Sequence, residues 1–182
     1  MTSTFTLAVV ASLDGFIARA PGHPPQDWAS AEEQAIFFRQ VEAADWAIMG
    51  RGTHEAADKP QRRRIVFSTS GGAGQWRRPT QLWLDPAGRT PRDLPALVER
   101  IHPMRQALIL GGTTVHDWFL RHGAIDRIVL TIEPVRFGEG LPIFTGQTSE
   151  APETIIRNAG FQQIAAETLN PAGTRLVTFQ TA

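Results

Sequence analysis

Cysteine is absent from the 182 residues, which removes disulfides, thiolate catalysis and cysteine-ligated zinc together. Lysine is nearly absent. Lys59 stands alone against 17 arginines, so almost every cation is a planar, fork-shaped donor suited to carboxylate and phosphate. Codon bias accounts for an excess of this kind, and an individual arginine counts only by its position. Net charge is missing as well, with 18 basic and 18 acidic residues. This excludes a whole-molecule field that would gather nucleic acid or an anionic membrane, and leaves anion binding to local groups. No run approaches the roughly 20 apolar residues of a membrane span. The start at Met1-Thr2-Ser3-Thr4 has neither a basic n-region nor an apolar h-region, so a soluble, cytoplasmic protein is the expectation. The five histidines show no metal-ligand spacing, and no Gly-x-Ser-x-Gly elbow or Gly-x-Gly-x-x-Gly fingerprint occurs.

What the chain does hold is a series of short apolar segments separated by helix signals. Residues 5–11 are β-branched and nearly continuous in apolar character, as in a strand covered on both faces. Pro21, Gly22, Pro24 and Pro25 make residues 21–27 a loop. Ser30 followed by Glu33 fits a capping box, with Ser30 as N-cap and Glu33 at N3. Ile36, Phe37, Gln40, Val41 and Ala44 then recur at helical spacing as one apolar stripe. Further strands are predicted over 45–49, 65–67, 80–84, 107–110 and 125–132, with helices over 94–101 and from the Gly111-Gly112 pair through Leu120. Strands alternating with helices imply right-handed crossovers and a mainly parallel sheet. Residues 161–168 and 174–181 flank Asn170-Pro171-Ala172-Gly173 and read as a hairpin adding antiparallel strands to one sheet edge. The expectation is one α/β domain over residues 1–182, at about 150 residues per domain.

In open α/β sheets ligands bind beyond the carboxyl ends of the strands, so the informative residues follow strands. Gly111-Gly112-Thr113-Thr114 puts two glycines between a strand and a helix start, where backbone comes close to a ligand and free N–H groups favour phosphate. Gly50-Arg51-Gly52-Thr53 offers a guanidinium and a hydroxyl after the second strand, and Ser68-Thr69-Ser70 offers hydroxyls after the third. Converging on one ligand, these fit a molecule with several phosphates. Asp14, Glu33 and Asp27 are the candidate acids, although Asp14-Gly15 is also a turn signal and Glu33 also a helix cap. Arg62-Arg63-Arg64 and Arg77-Arg78 beside Trp76 read as solvated loops, and no nucleic acid is expected as a partner.

Taken in order, these junctions resemble the dihydrofolate-reductase-like superfamily, within it the branch of the pyrimidine reductase domain of riboflavin biosynthesis. The matching stretches are Ser12-Leu13-Asp14-Gly15-Phe16-Ile17-Ala18, Asp27-Trp28 with Ser30 and Glu33, Ala44 to Thr53, and Ile65-Val66-Phe67-Ser68-Thr69. They continue through Leu110-Gly111-Gly112, Ile125 to Pro134 and Gly138-Glu139-Gly140-Leu141-Pro142-Ile143-Phe144. The resemblance implies a fold that binds NADPH. Gly50, Arg51, Thr53, Ser68 and Thr69 would hold the 2′-phosphate side. Gly111 and Gly112, often joined by a cis peptide in the family, would meet the pyrophosphate with Thr113 and Thr114. The first-strand turn would border the nicotinamide and a small-molecule substrate. The folate enzymes' acid falls near Glu33, or at Glu32 or Gln34 under a shifted alignment, whereas the riboflavin enzymes need not use that position, which raises Asp14. His54 stands where relatives usually carry an aromatic ring, and residues 55–64 are short. The implied activity is an NADPH-dependent reductase acting on a ribosylamino-pyrimidine or pterin-like substrate; the alternative is a non-catalytic dimeric binder of nucleotides or heterocycles. A homodimer through residues 161–181 is expected from the same resemblance.

Overall fold

The structure, a computed structural model, describes residues 2–182. The elements are β1 (Thr4–Ala11), β2 (Phe16–Ala18), α1 (Ala31–Ala43), β3 (Trp46–Gly50), α2 (Arg51–Ala56), β4 (Arg64–Phe67), β5 (Gln75–Arg78) and β6 (Gln81–Leu84). They continue with α3 (Leu94–Val98), β7 (Gln106–Gly111), α4 (Thr113–Arg121), β8 (Arg127–Ile132), β9 (Leu141–Pro142), α5 (Pro152–Asn158), β10 (Phe161–Thr168) and β11 (Arg175–Thr181). Nine strands form one sheet in the order β10-β11-β8-β1-β7-β3-β4-β6-β5. The pairings from β8 through β6 are all parallel. The inner strands β4 and β6 are buried at every position, which is why, after the polar residue that opens each (Arg64 and Gln81), their segments read as unbroken apolar runs. The expected C-terminal hairpin is present: β10 pairs antiparallel with β11, and β11 with β8. Its turn is closed by Asn170, whose Oδ1 accepts the Gly173 and Thr174 N–H groups. In β10 only Phe161 is buried, so the edge expected to join two copies is exposed along its length.

Four elements were not legible in advance. β2 and β9 form a separate two-stranded ribbon, a pairing between segments far apart in sequence. β5 is a polar edge strand without apolar alternation, and α5 begins at Pro152 in a stretch without a strong stripe. The helix expected over 94–101 is shorter, ending at Val98.

The most useful departure concerns α1. Its stripe of Ile36, Phe37, Gln40 and Val41 is only half-buried, and Phe38 is exposed. The helix stands off from the sheet and encloses a cavity of about 760 Å³, within the range of small-molecule sites. Among its described residues, the one buried side chain of α1 is an acid, Glu33.

Candidate active site

The strand register lines up the glycine and hydroxyl turns. Met49 of β3 pairs with Gly111 at the end of β7, and Gly50 pairs with Phe67 at the end of β4. The Gly111-Gly112, Gly50-Arg51 and Ser68-Thr69 turns therefore follow one another along a single carboxyl rim. The Gly111–Gly112 peptide is cis. At Gly112 an added Cβ would meet nothing within 4 Å, so this backbone is open to close approach. In α4 the first turn closes through the Val115 and His116 N–H groups on the Gly112 carbonyl, leaving the Thr113 and Thr114 N–H groups without an intrahelical acceptor.

Glu33 reaches the cavity wall, as do Thr53, Gly112 and His116. Ser30 caps α1 as expected, its Oγ accepting the Glu33 N–H at 3.2 Å. The second half of the capping box is replaced. Glu133, from the segment after β8, accepts both the Ser30 N–H at 2.8 Å and its hydroxyl at 2.7 Å. Thr174 donates to the other Glu133 oxygen. Relieved of the capping role, the Glu33 carboxyl faces the cavity, and no described protein group hydrogen-bonds it. Burial, and secondarily the Glu133 charge, push its pKa up to about 7. A carboxyl balanced near neutrality beside a cavity is suited to giving and recovering a proton.

Asp14 is placed differently. Its Oδ1 accepts the Ser12 hydroxyl at 2.7 Å and the Phe137 N–H at 3.1 Å, and its Oδ2 accepts the Gly138 N–H at 2.8 Å. Burial acts to raise its pKa, but these three bonds together outweigh it and hold the group below the ordinary carboxylate value. Asp14 lies outside the cavity wall and ties the β1–β2 turn to the segment before β9, a clamping role. Asp14→Asn is expected to cost about 1–3 kcal/mol of stability at neutral pH. The deficit should shrink as pH falls through the depressed pKa, where the wild-type carboxylate also loses its charge. Urea unfolding across that range checks this; a variant as stable as wild type at neutral pH would show that the clamp contributes nothing. Asp27, the third candidate acid, is exposed at the end of a short 3-10 turn whose Pro25 and Gln26, but not Asp27, line the cavity.

On the rim, Arg51 is largely exposed and has only a loose contact with Glu55 at 3.8 Å. Ser68 caps a 3-10 turn through Ser70, and the two hydroxyls lie 2.9 Å apart. Beside them is a cation, Arg77, whose sequence context reads as a solvated loop. Strand β5 folds Arg77 back so that its guanidinium donates to the Ser70 carbonyl and hydroxyl, both at 3.1 Å, while covering the Trp83 ring. Only the pairing of β5 with β6 brings Arg77 there. Thr114 is exposed at the start of α4, whereas the Thr113 hydroxyl is spent on the Pro142 carbonyl at 2.6 Å. Thr113 can serve an anion through its backbone alone. Three of the remaining basic residues are also engaged: Arg63 donates to the Asp45 carbonyl, Arg64 to the Ala57 carbonyl, and Arg78 to Asp58 and Gln81. Among the described residues no group of three or more His, Cys, Asp or Glu is arranged to hold a metal, and no helix is long and apolar enough to cross a membrane.

The family model described as the RibD C-terminal domain matches residues 3–169. The chain belongs to this family. As a RibD C-terminal domain it has the dihydrofolate-reductase-like fold. It is 26% identical over 170 residues to the uncharacterized protein YwjB of Bacillus subtilis (strain 168), covering 86% of this chain and 90% of that one. Its structure resembles that of a diaminohydroxyphosphoribosylaminopyrimidine deaminase/5-amino-6-(5-phosphoribosylamino)uracil reductase from Thermotoga maritima, with a TM-score of 0.71 at 17% identity. RibD of Acinetobacter baumannii gives 0.75 at 16% identity. This RibD C-terminal domain is covered over 99% in both comparisons but spans only 57% and 58% of those longer chains. Dihydrofolate reductase from Enterococcus faecalis, complexed with NADP(H) and RAB-propyl, gives 0.62 at 16% identity over 97% of this chain and 95% of its own.

Within this RibD C-terminal domain the unusual His54 is a packing residue. Its Nδ1 accepts from Arg64 at 3.0 Å, and its ring meets Trp83 edge-on. Burial, then the Arg64 charge, lower its pKa, so it stays neutral and fastens α2 to β4. The departure at this position thus concerns helix docking, with Thr53 beside it still on the cavity wall.

Proposed function

We propose that this domain is an NADPH-dependent reductase that delivers hydride to a C=N or carbonyl carbon of a small heterocycle of the ribosylamino-pyrimidine or pterin kind. The observation that carries the reading is Glu33, a carboxyl with a pKa near 7 and no described hydrogen-bond partner, facing a cavity that also reaches the Gly112 turn. The ribosylamino-pyrimidine class follows the name of the Thermotoga relative, and the cofactor that of the folate enzyme.

The residues present fit NADPH on two counts. The backbone at Gly112 is open, and the buried Nε2 of His116 beside it has no described protein partner. Arg51, Thr53, Ser68 and Thr69 would hold the adenosine 2′-phosphate side, with Arg77 completing the cationic group. Gly50, expected on the 2′-phosphate side but packed against Gly111 and Gly112, would join them and the Thr113 and Thr114 N–H groups in receiving the pyrophosphate. When bound, NADPH supplies the hydride. Glu33 gives its proton to the substrate nitrogen or oxygen next to the reduced carbon. Ile17, Phe37 and Val41 add apolar side chains to the wall of the same cavity.

Titrating NADPH against the fluorescence of the five tryptophans, then screening pterins and ribosylaminopyrimidines for NADPH oxidation, tests the reading. Binding with turnover of one candidate is expected. Binding without any oxidation would favour a non-catalytic binder instead. For the 2′-phosphate assignment, Arg51→Ala and Arg77→Ala are each expected to weaken NADPH about 10-fold while leaving NADH nearly unchanged. Equal losses for both cofactors would remove the arginine from that site.

A further inference from the structure

His116 is the fourth residue of α4, so its side chain leans back over the first turn toward the glycine pair. It is 1% exposed. Its Nδ1 lies 2.9 Å from the Ile143 carbonyl, which can only accept, so Nδ1 carries the proton. Burial lowers the pKa of the ring and keeps it neutral. The other nitrogen, Nε2, is then a bare lone pair, and no described protein group donates to it. Its position is well defined: a Cβ added to Gly111 would lie 2.7 Å from it. The ring also borders the cavity beside Gly112.

A buried lone pair repels a phosphate oxygen and needs an N–H or O–H. Resting on the NADPH reading above, we propose that His116 Nε2 is a cofactor-reading acceptor that takes a hydrogen bond from an uncharged donor of the bound nucleotide. The donor is the nicotinamide amide or a ribose hydroxyl; both present the same chemistry. The rim thus divides its work: backbone N–H groups at the glycine turn face anionic oxygens, and His116, one turn deeper, faces a neutral donor. The Ile143 carbonyl from beyond β9 locks the tautomer, so Nε2 is the nitrogen left to accept.

The test follows the ring nitrogens by long-range proton–nitrogen correlation in the 15N-labelled protein while NADP+ is added, with tryptophan fluorescence reporting binding in the same titration. The His116 signals are assigned from their loss in His116→Asn. The expected result is a free-acceptor Nε2 resonance that moves upfield in step with binding. With the acetylpyridine analogue of NADP+, which lacks the amide NH2, loss of that movement identifies the amide as donor, and its persistence identifies a ribose hydroxyl. His116→Asn keeps a donor for the Ile143 carbonyl but removes the acceptor, and is expected to raise the Kd for the cofactor about 10-fold. Saturable binding with an unmoved Nε2 resonance overturns the His116 assignment alone. An absence of binding by fluorescence overturns the NADPH reading, and the assignment with it.

Discussion

Glu33→Gln is expected to lower turnover by about 10²–10⁴-fold while NADPH binding changes little, because the amide keeps the shape of the carboxyl but has no proton to give. The wild-type rate should fall as pH rises through the Glu33 pKa of about 7, and the variant should lose that step. The substitution is expected to move stability the opposite way, upward at high pH. The folded protein holds the Glu33 proton up to about pH 7, whereas the unfolded chain releases it above its ordinary value of 4.5. Between these values the folded state binds more protons, so wild-type stability declines as pH rises through the window and levels off above it. For one site the decline is at most about 3 kcal/mol. Glutamine is neutral throughout, so Glu33→Gln should be more stable than wild type at about pH 8 and nearly equal to it near pH 4. Steady-state rates and urea unfolding at both ends of the window decide the matter. Retained turnover would remove Glu33 as the proton source, and an unchanged pH slope of stability would show that its proton is not held by the fold.

Gly111→Ala should do the most damage at the rim. The residue sits at φ +95, a conformation that side chains avoid at a cost of about 1–3 kcal/mol. The new methyl would also press on His116 Nε2, whose ring is held at its other end by the Ile143 carbonyl and has little room to yield. Crowding of this kind adds about 1–3 kcal/mol. Together these predict a loss of about 2–6 kcal/mol in stability and a fall in NADPH affinity on the order of 100-fold. Gly112→Ala separates the two effects, since φ there is −74 and nothing lies within 4 Å of the new methyl. It should lower affinity more than stability, because the methyl occupies space that the cofactor backbone approaches. Thermal unfolding and fluorescence titration of both variants check this. Wild-type affinity in Gly112→Ala would place the pyrophosphate elsewhere.

The sheet was readable because its cause is local. β1, β3, β4, β7 and β8 are short apolar runs ended by turn residues, and the residues at their ends, Gly50-Arg51, Ser68-Thr69 and Gly111-Gly112, fall on one rim as parallel order requires. The α1 stripe was readable as a helix but not as a cavity wall, since periodicity reports which residues share a face and not what that face meets. β5 was missed because its residues are polar and exposed, and with it the placement of Arg77 beside Ser70. Capping chemistry correctly placed Ser30, yet the same box suggested a capping role for Glu33 that Glu133 fills instead.

By itself the sequence determined the α/β class, the parallel order with its antiparallel hairpin, and which turns carry glycine, hydroxyl and arginine, because these depend on spacing along a few residues. Only the tertiary structure decided between the two carboxylates. Asp14 is tied down by amides more than 120 positions away, at separations of 123 and 124, and Glu33 is released from capping by a residue 103 positions from Ser30. The charge state of a carboxyl is set by the water and the donors around it, and here the chain supplies both from its far end. The same holds for the near-total arginine content: the sequence made all but one cation, Lys59, a fork-shaped donor, but the fold assigned Arg64 and Arg78 to internal ties and left Arg51 open at the rim.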